Sequence, residues 1–460
     1  MQKIKDFICF KSSKEIYQKY EFILLFLSMF ILVVDYAVIF TYRHFEKISS
    51  FSWQLYPFFI SLYFPLIHDI IYHIKNKTYK FNIIDLGMII YFELCLIATI
   101  FAEDMPKSIL GNGIRNEGII TIGFYILVYF LAKNIVNKKN VYKIINLIFG
   151  FGLLQVAYGF AQSYLKWMAF FDEMAYGFTG NPNMYSLLIG TLLTISICLY
   201  FSKDIDTKKY NNYYLICSVV FYIGLILGES SAPFFIFGLI LFFIFIYGIF
   251  KKVELKKITI IFLVICVLFP IIQFSNKYIN QNYYEKNPQR ASQNKDYSKL
   301  NTDIIKIWNK VFYIKENNEE NVEINVNNNV AHGRIEIWKK TFDIAKKNCI
   351  NGIGLDCLST LWAHDSICEK VDKAHNQYLD IWVSIGICGA ILYVIIISII
   401  IFKGFKSKNI VCKYLSFGCL YYSLTIVFNI STPFVATYYY IILGLIVGIE
   451  QKSRCDYEKS

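Results

Sequence analysis

Charge is scarce in this chain. Asp, Glu, Lys and Arg make up 17% of its 460 residues, where a soluble domain carries about a quarter. Long segments also lack the polar stripe of an amphipathic surface helix: from Glu21 to Phe40, from Trp53 to Tyr72 and from Ile83 to Phe101 the runs are apolar on all sides. A helix rises ~1.5 Å per residue, so a run of ~20 such residues spans the hydrocarbon layer of a bilayer. No cleavable signal peptide is evident; the first apolar run begins near residue 22 and exceeds an h-region, which predicts a retained helix. No solenoid-type repeat is visible. Paired C-x-x-C knuckles are absent, so Cys357, His364, Cys368 and His375 do not read as a zinc site, and neither metal nor cofactor is expected. Of the 12 cysteines, Cys95, Cys198, Cys217, Cys266, Cys388 and Cys419 fall in apolar runs, where cysteine acts as a small hydrophobe. Cys349, Cys357 and Cys368 fall in the largest loop and allow one internal bridge, for which Cys357–Cys368 is the candidate pairing.

What is abundant is apolar sequence in blocks. About twelve candidate spans follow: 22–40, 54–72, 83–101, 119–135, 141–163, 183–201, 213–229, 232–250, 258–275, 376–402, 411–429 and 434–450. Lysines crowd the amino terminus (Lys3, Lys5, Lys11, Lys14, Lys19) and then every second connection, among them Lys75, Lys77 and Lys80, and Lys251, Lys252, Lys256 and Lys257. The opposite short connections hold only Arg43, Lys47, Lys107, Arg115 and Lys166. By the positive-inside rule both termini are cytoplasmic. The net charge of +12 is therefore a topology signal, and no nucleic-acid partner is expected because no basic soluble domain carries it. The chain divides into helices 1–9 over residues 1–275, a large extracytoplasmic loop over 276–374, and helices 10–12 with a cytoplasmic tail over 375–460. Within the loop, Glu316 to Asn329 reads as a solvated linker. Near 334–348, Ile335, Trp338, Phe342 and Ala345 recur at helical spacing with lysines elsewhere around the axis, which predicts an amphipathic helix.

Four segments on the predicted outer side stand out: Gly111-Asn-Gly-Ile-Arg115-Asn-Glu-Gly118; Gly180-Asn-Pro-Asn183; Gly333-Arg334 through Trp338 with Gly352-Ile-Gly354-Leu-Asp356; and Asp372-Lys-Ala-His375-Asn-Gln-Tyr378-Leu379 running into Gly386-Ile-Cys-Gly389. With the spans and the large loop between helices 9 and 10, their order resembles the O-antigen ligase and polymerase family over nearly the whole chain. The resemblance implies an all-α polytopic membrane glycosyltransferase of GT-C-like architecture, a polyprenyl-diphosphate-linked glycan donor, and inverting transfer without metal. It also implies a place in the cytoplasmic membrane and a glycan, lipid or protein acceptor in surface polysaccharide assembly. Many relatives carry Ser-Arg-Gly at the outer end of a middle span; here the stretch is Gly228-Glu-Ser-Ser-Ala-Pro233, with no arginine.

Such a transfer needs positive charge for the leaving diphosphate and a base for the attacking hydroxyl. Arginine's planar fork suits phosphate oxygens, which makes Arg334 and Arg115 the candidates, with Arg290 a weaker third. His375, where the loop meets the tenth span, is the candidate base, since imidazole is neutral near pH 7. Asp372, Lys373, Asn376, Tyr378 and Asp356 are candidates for residues that support it. The competing bland readings are solvated arginines and an interfacial histidine. His332 and His364 lack comparable context, and Asp204-Ile-Asp206 reads as a solvated turn. Polymerization of lipid-linked units and transfer to protein hydroxyls share the donor chemistry. A lipid-linked glycan transporter is the reading from another class: Asp35, Asp69, Glu93 and Glu229 lie in spans, and Asp35 and Glu93 look deep enough to line a polar cavity.

Overall fold

The structure, a computed structural model, describes residues 14–46, 55–112, 115–136, 140–166, 174–202, 210–250, 253–286, 330–362 and 371–457. All regular structure among them is helical. The helices in chain order are α1 (Lys14–Glu46), α2 (Leu55–Lys75), α3 (Ile83–Ile100), α4 (Met105–Leu110), α5 (Ile119–Ile135), α6 (Val141–Leu165), α7 (Pro182–Phe201) and α8 (Asn211–Leu227). They continue with α9 (Ser231–Phe250), α10 (Leu255–Lys286), α11 (Val330–Lys347), α12 (Leu358–Leu361), α13 (Gln377–Lys406), α14 (Ile410–Thr425) and α15 (Pro433–Tyr457). Each expected span falls on a helix, but by length and composition eight described helices suffice to cross a membrane. Apolar α5 and α8 are shorter, at 17 residues each. The chain is thus a multi-pass membrane protein by helix composition.

Two helices form the centre. Nearly all of α7 is buried, and its neighbours are α8, α14 and α9. The other is α5, which packs along α15. The reason is legible in Gly444-Leu-Ile-Val-Gly448. A Cβ on Gly444 would lie 2.3 Å from the Tyr129 carbonyl oxygen, and one on Gly448 would lie 2.3 Å from that of Lys133. Small residues one turn apart let the backbones touch, the contact that replaces hydrophobic driving force inside a bilayer. Gly444→Val is expected to cost about 1–3 kcal/mol through overpacking, read as a lower melting midpoint in detergent; an unchanged midpoint would refute the close approach.

One end of the bundle is tied by lysines. Lys133 is ion-paired with Asp85 and donates to the Lys80 carbonyl at 2.7 Å, while Asp85 closes a capping box with Asn82 at the start of α3. Gln451 donates to the same Lys80 carbonyl at 3.2 Å. At the opposite end of α3 and α5 lies a small second core of Ala345, Ile353, Cys357, Leu358, Trp362, Ala374 and Val383. Its seam with α13 depends on glycine. Gly386 has φ 77° and breaks the helix, freeing backbone groups there. Segment 349–354 takes them up: Ile353 N donates to Val383 O at 2.9 Å, Gly354 N to Ser384 O at 3.0 Å, and Ile387 N to Cys349 O at 2.8 Å. A Cβ on Gly386 would sit 1.9 Å from the Ile350 carbonyl, so the seam admits no side chain there.

Two expectations change. Glu93 is exposed on the outer flank of α3, on the side of Ile89, Ile90 and Ile97, and lines no internal cavity. The helical periodicity put it in an apolar run but not on a face. In α11, Ile335 and Phe342 are exposed, and the inward side is Thr341 and Ala345 with Trp338 partly buried. The side chain of Asp35, and all of Asp204, Asp206 and the 316–329 stretch, lie outside the described residues.

Candidate active site

His375 occupies the last loop position but one before α13, with φ 53°, a left-handed conformation unusual for a residue with a Cβ. Its neighbours are fixed on every side. Asn376 caps α13, its Oδ1 accepting from Tyr378 N at 3.1 Å and Leu379 N at 3.2 Å. Ala374 N donates to Asp380 Oδ1 at 2.8 Å, and the Ala374 carbonyl accepts from Trp338 Nε1 of α11 at 2.9 Å. With the flanking backbone held, the strain at His375 persists, as it does where surroundings over-determine a conformation.

Around the imidazole stand two guanidinium groups and a carboxylate. Arg115 grips Asp372 with two bonds, Nε to Oδ2 at 2.5 Å and Nη2 to Oδ1 at 3.3 Å. Burial would raise the Asp372 carboxyl, but Arg115 outweighs it and holds the group below the usual carboxylate range. Arg334, in the first turns of α11, has no carboxylate partner among the described residues. Its partial burial lowers its pKa. For His375, burial and then the positive charges of Arg115 and Arg334 push the pKa below 6.5, against an opposing pull from Asp372. The imidazole is neutral at pH 7 and can accept a proton.

Beneath this layer lies a buried ionic cluster. Lys373, 6% exposed, is ion-paired with Glu117 and lies 3.4 Å from Asp356 Oδ1. Burial would discharge the ammonium, yet Glu117, Asp356 and Asp380 together hold its pKa above the ordinary value. Glu117 is raised by burial despite Lys373, and Tyr125 donates to it at 3.2 Å. Asp356, at φ 58°, uses Oδ2 to accept from Asn112 N at 2.9 Å and Glu117 N at 3.1 Å, tying both residues over the cluster.

The four sequence segments thus meet. Arg115 and Glu117 of the first touch Asp372 and Lys373 of the fourth; of the third, Asp356 touches both and Trp338 touches the fourth. The second joins through Asn183, whose carbonyl accepts from Asn429 Nδ2 at 3.2 Å; the Asn429 carbonyl accepts from Gln377 N at 3.1 Å. In the stretch lacking arginine, Ser230 Oγ donates to Asn183 Oδ1 at 2.5 Å, and Glu229 accepts from Asn276 Nδ2 at 2.6 Å. Arg290, His364 and Cys368 lie outside the described residues, as does the His332 side chain; Cys357 is a buried free thiol whose pKa burial pushes up to about 11.

Sequence reasoning passed over Glu117 and Asp380. A carboxylate two residues before the apolar run of α5, and another inside the first turn of α13, were the available signals. Two apolar clefts run along the outer side of α13. One of about 350 Å³ is lined by Asn376, Tyr378, Leu379, Trp382 and Val394, and one of about 530 Å³ by Tyr378, Val394, Ile397, Phe402 and Leu424. The smaller begins at Asn376, the residue that follows His375, and both are lined by Tyr378.

Residues 216–394 match the family model described as O-antigen ligase. No curated protein matches the chain significantly.

Proposed function

Taking as premise that residues 216–394 belong to the O-antigen ligase family, a glycosyltransferase-type enzyme family, we propose that the protein transfers a glycan from a polyprenyl-diphosphate-linked donor to an acceptor hydroxyl at the outer face of the cytoplasmic membrane. The observation that carries this reading is a neutral imidazole at His375 flanked by the Arg115–Asp372 pair and by Arg334, which has no carboxylate partner among the described residues, close along the chain to Tyr378, which lines two apolar clefts. The acceptor oxygen attacks the anomeric carbon from the face opposite the diphosphate, its proton passing to His375 Nδ1 or Nε2. The bond from the anomeric carbon to the diphosphate oxygen breaks, and that oxygen keeps the electron pair. Arg334, with the charge of Arg115 beside it, stabilises the leaving polyprenyl diphosphate without a metal, and the configuration inverts. The polyprenyl chain lies along α13, where the clefts supply apolar walls.

This reading takes the helices as a GT-C-like bundle of twelve crossings, with both termini cytoplasmic and residues 276–374 outside. The lysine-tied end around Lys80, Lys133 and Gln451 supports it, since it lies opposite the His375 end. The exposed position of Glu93 removes one support for a transporter.

The test is donor turnover in nanodiscs. Arg334→Lys keeps the charge and loses the fork, so donor KM is expected to rise on the order of tenfold, the worth of one charge-assisted hydrogen bond. Donor kinetics equal to wild type in Arg334→Lys and Arg334→Ala would remove the phosphate role. Rate against pH offers a second check. His375 must be deprotonated to act and its pKa lies below 6.5, so the acid limb of kcat/KM is expected below that value. A limb above 6.5 in the free enzyme would contradict the assignment.

A further inference from the structure

At the lysine-tied end of the bundle, far along the chain from His375, α1 and α2 bring together Glu21, Asp69 and His73. Glu21 is 3% exposed and Asp69 is 0% exposed. Neither Asp69 oxygen has a partner at hydrogen-bonding geometry among the described residues, and the Asn134 side-chain amide is the polar group that faces them. One ligand atom from each of the three residues lies within 4.8 Å of the others. His73 Nε2 is 2.6 Å from Glu21 Oε1 and 3.8 Å from Asp69 Oδ1.

The other ring nitrogen settles the charge arithmetic. His73 Nδ1 is 2.7 Å from Thr78 Oγ1, and that hydroxyl donates to the His73 carbonyl at 3.3 Å. The hydroxyl proton is thereby used, so the oxygen accepts from Nδ1–H. In the neutral ring Nε2 then aims a lone pair at two carboxylates. With a proton on Nε2 one of the two buried carboxylates is offset, and Asp69 then needs a proton of its own or stands uncompensated, a costly state in a desolvated place. A divalent cation offsets both at once and supplies the Asp69 oxygens with a partner. The Nδ1–H bond to Thr78 is the outer contact that fixes a metal-binding imidazole in the right tautomer.

We propose that Glu21, Asp69 and His73 bind one divalent transition-metal ion, which staples α1 to α2 and plays no part in the transfer reaction. Two carboxylates and an imidazole suit zinc or manganese better than calcium or magnesium. Ligands ~2.0–2.1 Å from a tetrahedral ion stand about 3.3 Å apart, so Glu21 swings from Nε2 by roughly 0.7 Å to admit it.

The experiment uses the full chain in detergent, stripped with chelator and titrated with Mn²⁺ or Zn²⁺, with bound metal counted by mass spectrometry and melting followed by fluorescence. Manganese has little appetite for the chain's thiols. The wild type is expected to bind about one Mn²⁺ per chain and to melt higher with Zn²⁺. Asp69→Asn and His73→Gln should each weaken Mn²⁺ by more than about tenfold and lose that melting response. Thr78→Val alters an exposed side chain that touches no ion, and should weaken binding by about 10–100-fold. It decides the matter should the buried variants fail to fold. A wild type that binds no Mn²⁺, or variants that bind it equally well, overturns the proposal and leaves an imidazolium–carboxylate ion pair.

Discussion

His375→Ala is expected to lower kcat/KM for glycan transfer by about 10²–10⁴-fold, the usual worth of a general base, while insertion, yield and melting stay near wild type. Stability should be little affected because the loop does not hang on the imidazole. Its backbone is held by Asn376, Asp380 and Trp338 through bonds that alanine leaves in place. Alanine adopts φ 53° somewhat less readily than histidine, a small cost beside those bonds. Turnover of purified His375→Ala within a few-fold of wild type would remove the base assignment and with it the mechanism above.

Lys373→Met is expected to act in the opposite way, through structure first. Methionine matches the length of the lysine stem but leaves Glu117 and Asp356 facing each other without a cation. Removing one partner from a buried ionic cluster costs about 3–5 kcal/mol, so the melting midpoint should fall steeply. The pH dependence has a definite sign. Burial already raises Glu117 above its ordinary pKa, and Lys373 is what opposes that rise. Without Lys373 the folded-state pKa climbs further, and a group whose folded pKa exceeds its unfolded value contributes stability that is present at low pH and lost as pH rises through the folded pKa. The variant should therefore recover stability as pH is lowered from 8 toward 5. A variant as stable as wild type at pH 8 would show that the cluster does not hold the site together.

The sequence made the candidate groups visible without their partnerships. His375, Arg115 and Arg334 stood out because charge is rare beside apolar runs and because these residue types fit the chemistry. That Arg115 would be engaged by Asp372, and Arg334 left without a carboxylate among the described residues, depends on contacts between residues far apart in the chain, which no local pattern encodes. Lys373 read as a candidate to support His375; only packing shows that it is the buried counter-charge for carboxylates drawn from three segments. Helix positions were legible from apolar run length, whereas Glu93 was misjudged because a run apolar all round has no periodicity to say which side faces inward. Gly352, Gly354 and Gly386 were legible as a pattern, but their seam was not.

That seam has a mechanical consequence. Three main-chain bonds join residues 349–354 to the break in α13 at Gly386, and α11, which carries Arg334, continues into that same segment. The arm bearing Arg334 and the helix headed by His375 are therefore bolted to a common pivot that glycine alone can form. A lid swinging on this loop would have to shear the joint, so the spacing between arginine and histidine is preset before any ligand arrives. On the proposed mechanism, a lipid-linked donor would then approach sideways, along α13, toward a frame set by this joint.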